Sequence, residues 1–539
     1  MKRHLTALTM CLLLPAAAGA QHQHPTPLAP SRAFGNESVV FETSCAPEVA
    51  ARFNLAVALL HSFWFSQAID NFEQIAAEDS SCAMAHWGIA LSHWGNPFGG
   101  LRAAAQLELG GAAIEQALAI PAGTPRERAY IEAVAKLFSD NQNGTQRERT
   151  LAYEKAMEGV VSGNPDDLEA RIFYALAVNQ TALPTDQSYS QQIKAAGILE
   201  PLFAEYPTHP GLAHYIIHAF DHPPLAEKAL VAARRYASLA PAVPHALHMP
   251  SHTFTRVGAW QESIETNQRS AEEARRVNGF GEELHALDYQ AYAYLQLGMD
   301  SEASAVRSRA LELVDGSDGI AIGAAGSGAF AVAAIPARFA LERGAWTEAA
   351  ALPVRPANTP YTEAMTHFAR ALGAARSGHP GAASDDVERL ATLRDELRER
   401  QDAYWMEQVD IQRRIAMAWV AFAEGRRDEG LALMREAADS EDRTDKAAVS
   451  PGPLAPAREL LGYMLLEAGQ AREALVEFEA TVVKEPNRFR GLYGAGRAAE
   501  LAGNKEQAVG FYRRLVEIAS DADTDRPELR HARAVAQQG

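Results

Sequence analysis

The sequence predicts an all-α solenoid, a superhelix of antiparallel helix pairs, and three observations carry that expectation. The 539-residue chain is 47% hydrophobic, and its amphipathic runs, such as residues 471–483, are bounded by glycine turns and not by strand signals. A turn glycine followed five residues later by a small residue recurs at Gly298 and Ala303, Gly344 and Ala349, Gly378 and Ala383, and Gly425 and Gly430. A longer pattern then repeats in phase: Gly462, Gly469, Ala474, Phe478 and Pro486 are followed, 34 residues on, by Gly496, Gly503, Ala508 and Tyr512. Small residues stand where two helices must approach closely, and glycine stands where the chain must turn.

These two consecutive segments resemble the tetratricopeptide repeat (TPR) family, whose unit is a 34-residue helix-turn-helix that stacks on its neighbour. The resemblance extends from about residue 50 to about residue 520. Ala56, Leu59, Ala68 and Phe72 read as an early repeat; Ala195, Leu199 and Pro207 close one that leads into the histidine-bearing segment. Ala229, Ala233, Tyr236 and Pro241 form the second helix of the next unit, and Phe254, Gly258 and Trp260 lead out of the one after. The resemblance implies a concave groove lined by the first helix of each repeat, where a protein or peptide partner would sit.

Ahead of the repeats, residues 1–20 read as a secretory signal peptide. Lys2, Arg3 and His4 are its basic start, Leu5 to Leu14 its apolar core, and Ala18-Gly19-Ala20 its cleavage site. Residues 21–44 read as a flexible leader, 45–350 as a histidine-rich TPR-like half and 360–525 as a plain TPR half, with the proline-rich stretch 350–360 as the joint. Export, most simply to a periplasm, makes Cys45 and Cys82 candidates for a disulfide, since Cys11 leaves with the signal. The formal net charge of −18 becomes more negative once Lys2 and Arg3 are removed, which argues against nucleic acid as a partner. The uncharged run 319–337 is too rich in Gly, Ala and Ser, and carries Pro336, so a packed helix is expected there and no membrane span.

The functional signal is a histidine pair that occurs twice. His214 and His218, and 34 residues later His248 and His252, are each four apart, which places both imidazoles of a pair on one helix face. In the TPR register these fall at the fifth and ninth positions of successive repeats, positions that face the groove. Asp221 takes the twelfth position of the first unit and His245 the second position of the next; His285 and Asp288 follow in a unit six residues longer. Imidazole is the commonest metal ligand, so His214, His218, Asp221, His245, His248 and His252 form a candidate site for a transition-metal ion: zinc, copper or iron.

Three readings of that surface are open: a metal site, a metal-free polar groove for an acidic or aromatic peptide, and histidines that satisfy buried backbone groups. Two centres are also conceivable, with His214, His218 and His222 as one triplet and His245, His248 and His252 as another, although Pro223 should turn His222 away. A catalytic site would need an acid or base nearby, for which Asp221, Asp288, Glu282 and Glu283 are available. Upstream, His61 and His93 stand among Phe63, Trp64, Trp87 and Trp94, aromatics expected mainly in core packing. No dinucleotide fingerprint, P-loop, nucleophile elbow or HExxH pattern is present. The sequence therefore points to an exported TPR-type protein with a histidine-rich metal site, the alternative being a metal-free interaction scaffold.

Overall fold

The structure, a computed structural model, describes residues 34, 39–121, 123–139, 144–315, 326–355, 357 and 359–538. The expected signal segment, most of the leader and residues 319–325 of the uncharged run lie outside them. Among the described residues all regular elements are helices, and sequence-adjacent helices pack against one another along the chain. None of these helices is long and apolar enough to cross a membrane.

The helices that position the site are α1 (Ala50–His61), α2 (Leu168–Gln180), α3 (Pro210–Ala219), α4 (Pro244–His248), α5 (Pro250–Val257), α6 (Trp260–Arg276), α7 (Phe280–Leu297) and α8 (Gly326–Glu342). Near the C-terminus, α9 (Ala457–Glu467) and α10 (Ala471–Lys484) form one helix pair, and α11 (Phe489–Leu501) and α12 (Lys505–Ile518) the next. Here the 34-residue pattern has a direct physical cause. A Cβ on Gly462 would stand 2.8 Å from the Phe478 ring, and one on Gly496 would stand 2.5 Å from the Tyr512 ring, so each aromatic occupies the space that glycine leaves. Between paired helices, Gly469 and Gly503 adopt φ of 79° and 86°, the left-handed conformation that a side chain disfavours.

Buried apolar residues gather into three cores, one spanning residues 34–254, one 260–339 and one 330–532. The last contains residues from both sides of the proline-rich stretch at 350–360. At the N-terminal end Cys45 and Cys82 lie at bonding distance, with S–S 2.01 Å and Cα–Cα 4.7 Å, and tie the segment before α1 to the start of the helix Ala83–Trp94.

The superhelix closes on itself. The Trp260 indole donates to the Asn487 carbonyl (2.8 Å), and the Thr524 amide donates to the Gly298 carbonyl (3.1 Å). Arg488, buried before α11, pairs with Glu459 (2.7 Å) and Glu342 (2.6 Å) and donates to the Tyr292 hydroxyl (3.1 Å). Removing Arg488 would leave two buried carboxylates without the cation they share, so this cluster fixes how α9 and α11 meet α7 and α8. Residues 443–456 then cross over the histidine-bearing helices. The Tyr289 hydroxyl donates to the Ser450 carbonyl (3.2 Å), and Arg338 donates to the Gly452 carbonyl (2.7 Å) while pairing with Asp288 (3.0 Å). The face that the TPR register assigns to an exposed groove is therefore covered at the histidines.

Candidate metal centre

The six imidazoles divide into two groups of three, His214, His218 and His245, and His248, His252 and His285, with their ligand atoms within 4.8 Å of one another in each group. In the register read from the sequence, each group takes the fifth and ninth positions of one repeat and the second position of the next. α3 supplies the first pair. α4 and α5, nearly one helix broken where Pro250 has no N–H to give, supply His245, His248 and His252. α7 supplies His285. His245 faces α3, while His248 and His252 turn toward α7, so both groups share the α4–α5 rod.

This division differs from the two triplets that the sequence also allowed. His222 does not join His214 and His218; it lies beyond the end of α3, and its Nδ1 meets the Asp445 carboxylate at 2.7 Å. His245 leaves His248 and His252 and joins α3, its ring 5.2 Å from that of His214, because of how α4 is rotated against its neighbours. His285 was placed on the groove by register but not in the expected ligand set; its second-position equivalence with His245 was the available signal. Asp221 contributes no ligand atom to either group. It accepts from His252 Nδ1 (2.9 Å), Arg256 Nε (2.8 Å) and Lys446 Nζ (3.1 Å), and so orients an imidazole from behind.

Proton positions follow from the partners. His214 Nδ1 donates to the His61 carbonyl at 2.6 Å. His248 Nδ1 meets Asn267 Oδ1 at 2.7 Å, and the Asn267 amide group donates to the Ser263 carbonyl (2.7 Å), which fixes its oxygen toward the ring and makes Nδ1 the donor. His252 Nδ1 donates to Asp221. All three rings thereby carry their proton on Nδ1 and present an unprotonated Nε2, that of His252 with the Tyr289 hydroxyl 3.4 Å away. Those of His248 and His252 face each other at 3.1 Å, and that of His214 stands 3.1 Å from His218 Nε2. His245 Nε2 and His285 Nδ1 are buried without a hydrogen-bond partner among the described residues.

Burial holds His214, His218, His245, His248 and His285 well below the ordinary histidine pKa, and neighbouring imidazoles push in the same direction. His252 is lowered too, again mainly by burial, with Asp221 opposing. Burial would raise Asp221, but Lys446 and Arg256 outweigh it and hold the carboxylate well below its usual range. The groups are therefore neutral imidazoles beside a fixed carboxylate, the protonation state that ligation requires.

The two groups adjoin: the rings of His218 and His252 are 5.9 Å apart, and those of His245 and His248 6.2 Å. Phe98 stacks on His218 at 4.3 Å, and Phe63 lies 4.4 Å from His214 and 5.6 Å from both His218 and His245. Phe63 holds φ of 54°, a conformation that costs a bulky residue about 1–3 kcal/mol. Tyr289 lies against His248 (4.6 Å) and His252 (5.3 Å).

The other candidate acids stand elsewhere. Asp288 is engaged by Arg338, and Glu283 pairs with Arg309 (2.9 Å) and Arg275 (3.3 Å). Burial pushes Glu282 up to about 7. His61 is not a ligand of either group: it sits against Glu169 (2.8 Å), which also takes His209 (3.0 Å), and it reaches the Tyr215 hydroxyl through Nδ1 (2.9 Å). Its role at the site is through its carbonyl, which sets the His214 tautomer. Trp87 and Trp94 are buried in the core, and His93 is partly exposed.

No protein-family model matches the chain, and no curated protein does so. Among solved structures, a monomeric mutant of IFIT1 with Gppp-AAAA is similar over 88% of this chain and 96% of that one, with 11% identity and a TM-score of 0.38.

Proposed function

We propose that this chain is an exported TPR-type protein that binds two neighbouring transition-metal ions, each on three imidazoles: His214, His218 and His245 for one, and His248, His252 and His285 for the other. The observation that carries the reading is the pair of Nε2 atoms on His248 and His252, 3.1 Å apart, with both protons committed to Asn267 and Asp221. Two facing lone pairs repel unless a cation lies between them, and burial disfavours a proton in that role. Two nitrogens bound at about 2.0–2.1 Å to one tetrahedral ion stand about 3.3 Å apart, close to the separation found.

A set made only of imidazole suits zinc, copper or iron and is poor for magnesium or calcium. Three protein ligands also leave a position open on each ion, the pattern of catalytic sites. Asp221 would then act as a positioning residue for His252. The metal-free scaffold remains the second reading of a TPR-type fold, but it gives no account of the facing lone pairs, and the buried imidazoles offer a peptide no surface to read.

Elemental analysis of protein purified without a polyhistidine tag tests the proposal. About two equivalents of one transition metal are expected. A folded chain that holds none, and whose melting temperature does not rise on adding zinc or copper, would reject it.

A further inference from the structure

The four-residue spacing of His248 and His252 occurs once more on α7, between His285 and Tyr289. Residues four apart share a helix face, so Tyr289 is directed to the same side of α7 as His285. The phenol ring is fully buried, 5.4 Å from the His285 ring, and it lies against the rings of His248 and His252. Its oxygen stands 3.4 Å from His252 Nε2.

That hydroxyl has one proton to give and three acceptors around it: the Ser450 carbonyl at 3.2 Å, the Ala448 carbonyl at 3.3 Å and His252 Nε2 at 3.4 Å. All three are long beside the roughly 2.7–2.8 Å of a good O–H···O bond, and one proton does not serve them all. With the proton toward Ser450, the oxygen turns a lone pair to the unprotonated His252 Nε2, which already faces that of His248 at 3.1 Å. Two ligand atoms about 2.0 Å from one tetrahedral ion stand about 3.3 Å apart. Both separations measured from His252 Nε2 lie near that value.

The first group has no counterpart in the equivalent place. Four residues after His245 stands Met249, and the rings that pack on His214 and His218, those of Phe63 and Phe98, carry no oxygen. Alike in their imidazoles, the two groups differ in this one atom.

We infer that the Tyr289 oxygen is the fourth ligand of the second ion, which the chain thereby closes with three nitrogens and one oxygen, so that a fourth position stays open on the first ion alone. A tyrosine oxygen serves as an iron ligand in other proteins. On ligation the phenol proton leaves to solvent, and the long contacts to Ser450 and Ala448 are exchanged for a metal–oxygen bond. The inference rests on the two-ion reading above, and its test separates the two.

The test is resonance Raman spectroscopy of the purified chain stripped of metal and reloaded with copper(II). A visible phenolate-to-copper charge-transfer band is expected, with tyrosine ring modes that move when the chain is made with ring-deuterated tyrosine. Tyr289→Phe should lose the band and hold its second copper at least about ten-fold more weakly. Tyr215→Phe and Tyr236→Phe, which remove the hydroxyls of rings 5.4 Å and 5.1 Å from that of His214, should keep the band. If Tyr289→Phe does not fold, the labelled wild type and these two variants decide. A purely structural Tyr289 would give no such modes. Two bound coppers without tyrosine modes, modes that survive Tyr289→Phe, or modes lost in Tyr215→Phe or Tyr236→Phe overturn the inference and leave the two-ion reading standing, whereas a folded chain that binds no copper rejects both.

Discussion

Asp221→Asn probes the support of the proposed second metal centre, because one carboxylate there holds three partners. Its Oδ2 accepts from His252 Nδ1 and Lys446, its Oδ1 from Arg256 Nε, and its backbone carbonyl from Arg256 Nη2 at 2.8 Å. Asparagine keeps one acceptor oxygen and puts an amide donor in the place of the other, so His252 or Arg256 must face a donor. The charge is lost as well, leaving Arg256 and Lys446, 4% exposed and 5% exposed at the side chain, without their buried anion. Breaking a buried pair by removing one partner costs about 3–5 kcal/mol. Loss of an outer hydrogen bond to a ligating imidazole lowers metal affinity about 10–100-fold. Since Asp221 touches His252 and none of the first three histidines, the loss should fall on one ion of the two, seen as a biphasic chelator titration in place of a single tight phase. Adding Lys446→Met should return part of the stability by removing one unpaired cation, a coupling that a double-mutant cycle reads directly. Equal weakening of both ions, or no change in either, would refute the assignment of Asp221 as the support of the second centre.

Asn267→Leu should act on the same ion through His248, whose Nδ1 proton it releases, and metal titration should again lose one equivalent at limiting concentration. Reducing or replacing the cysteine pair opens a sequence separation of 37 residues and should cost about 4 kcal/mol by loop entropy, with hydrogen exchange rising near α1 and unchanged in α9–α12. Gly496→Ala drives a methyl into the Tyr512 ring and should destabilise the last repeats by about 1–3 kcal/mol, measured by urea unfolding. Burial raises Glu441 to about 7, above its unfolded value near 4.5, so its protonated form favours the fold: that contribution is full below pH 4.5 and is lost as the pH rises through 7. Glu441→Gln should therefore raise the melting temperature at pH 8 and leave it unchanged at pH 4.

The helical solenoid was legible because its causes are local. Phe478 over Gly462 and Tyr512 over Gly496 are contacts within one helix pair, so their spacing in sequence is their spacing in space. The histidine pairs were legible for the same reason, since residues four apart on α3 and on the α4–α5 rod share a face. Partition among the histidines was not legible in the same way. Whether His245 turns to α3 or stays with His248 depends on the rotation of α4 against its neighbours, and His285 arrives from a repeat lengthened by six residues. Least legible was the cover. Asp445, Lys446 and Ser450 reach His222, Asp221 and Tyr289 over more than 150 residues of chain, as the superhelix closes through Trp260–Asn487 and the Arg488 cluster. No periodicity encodes a contact of that range.

A stacked repeat explains why such a centre would come in pairs. Any residue set that spans the fifth and ninth positions of one unit and the second of the next is copied whenever those positions are copied, and each copy borrows from the neighbour that begins the following one. The α4–α5 rod is that shared member: it completes the first group with His245 and opens the second with His248 and His252. Two ions held this way cannot be spaced independently, because the rise between positions 245 and 252 along one helix, about 1.5 Å per residue, sets the offset between groups. Insertion of a residue between His245 and His248 should then rotate His245 by about 100° away from α3 and abolish the first centre. His248, His252 and His285 would keep their mutual geometry, so the expected product retains one equivalent of metal, and loss of both ions would show that the groups depend on each other for more than the rod.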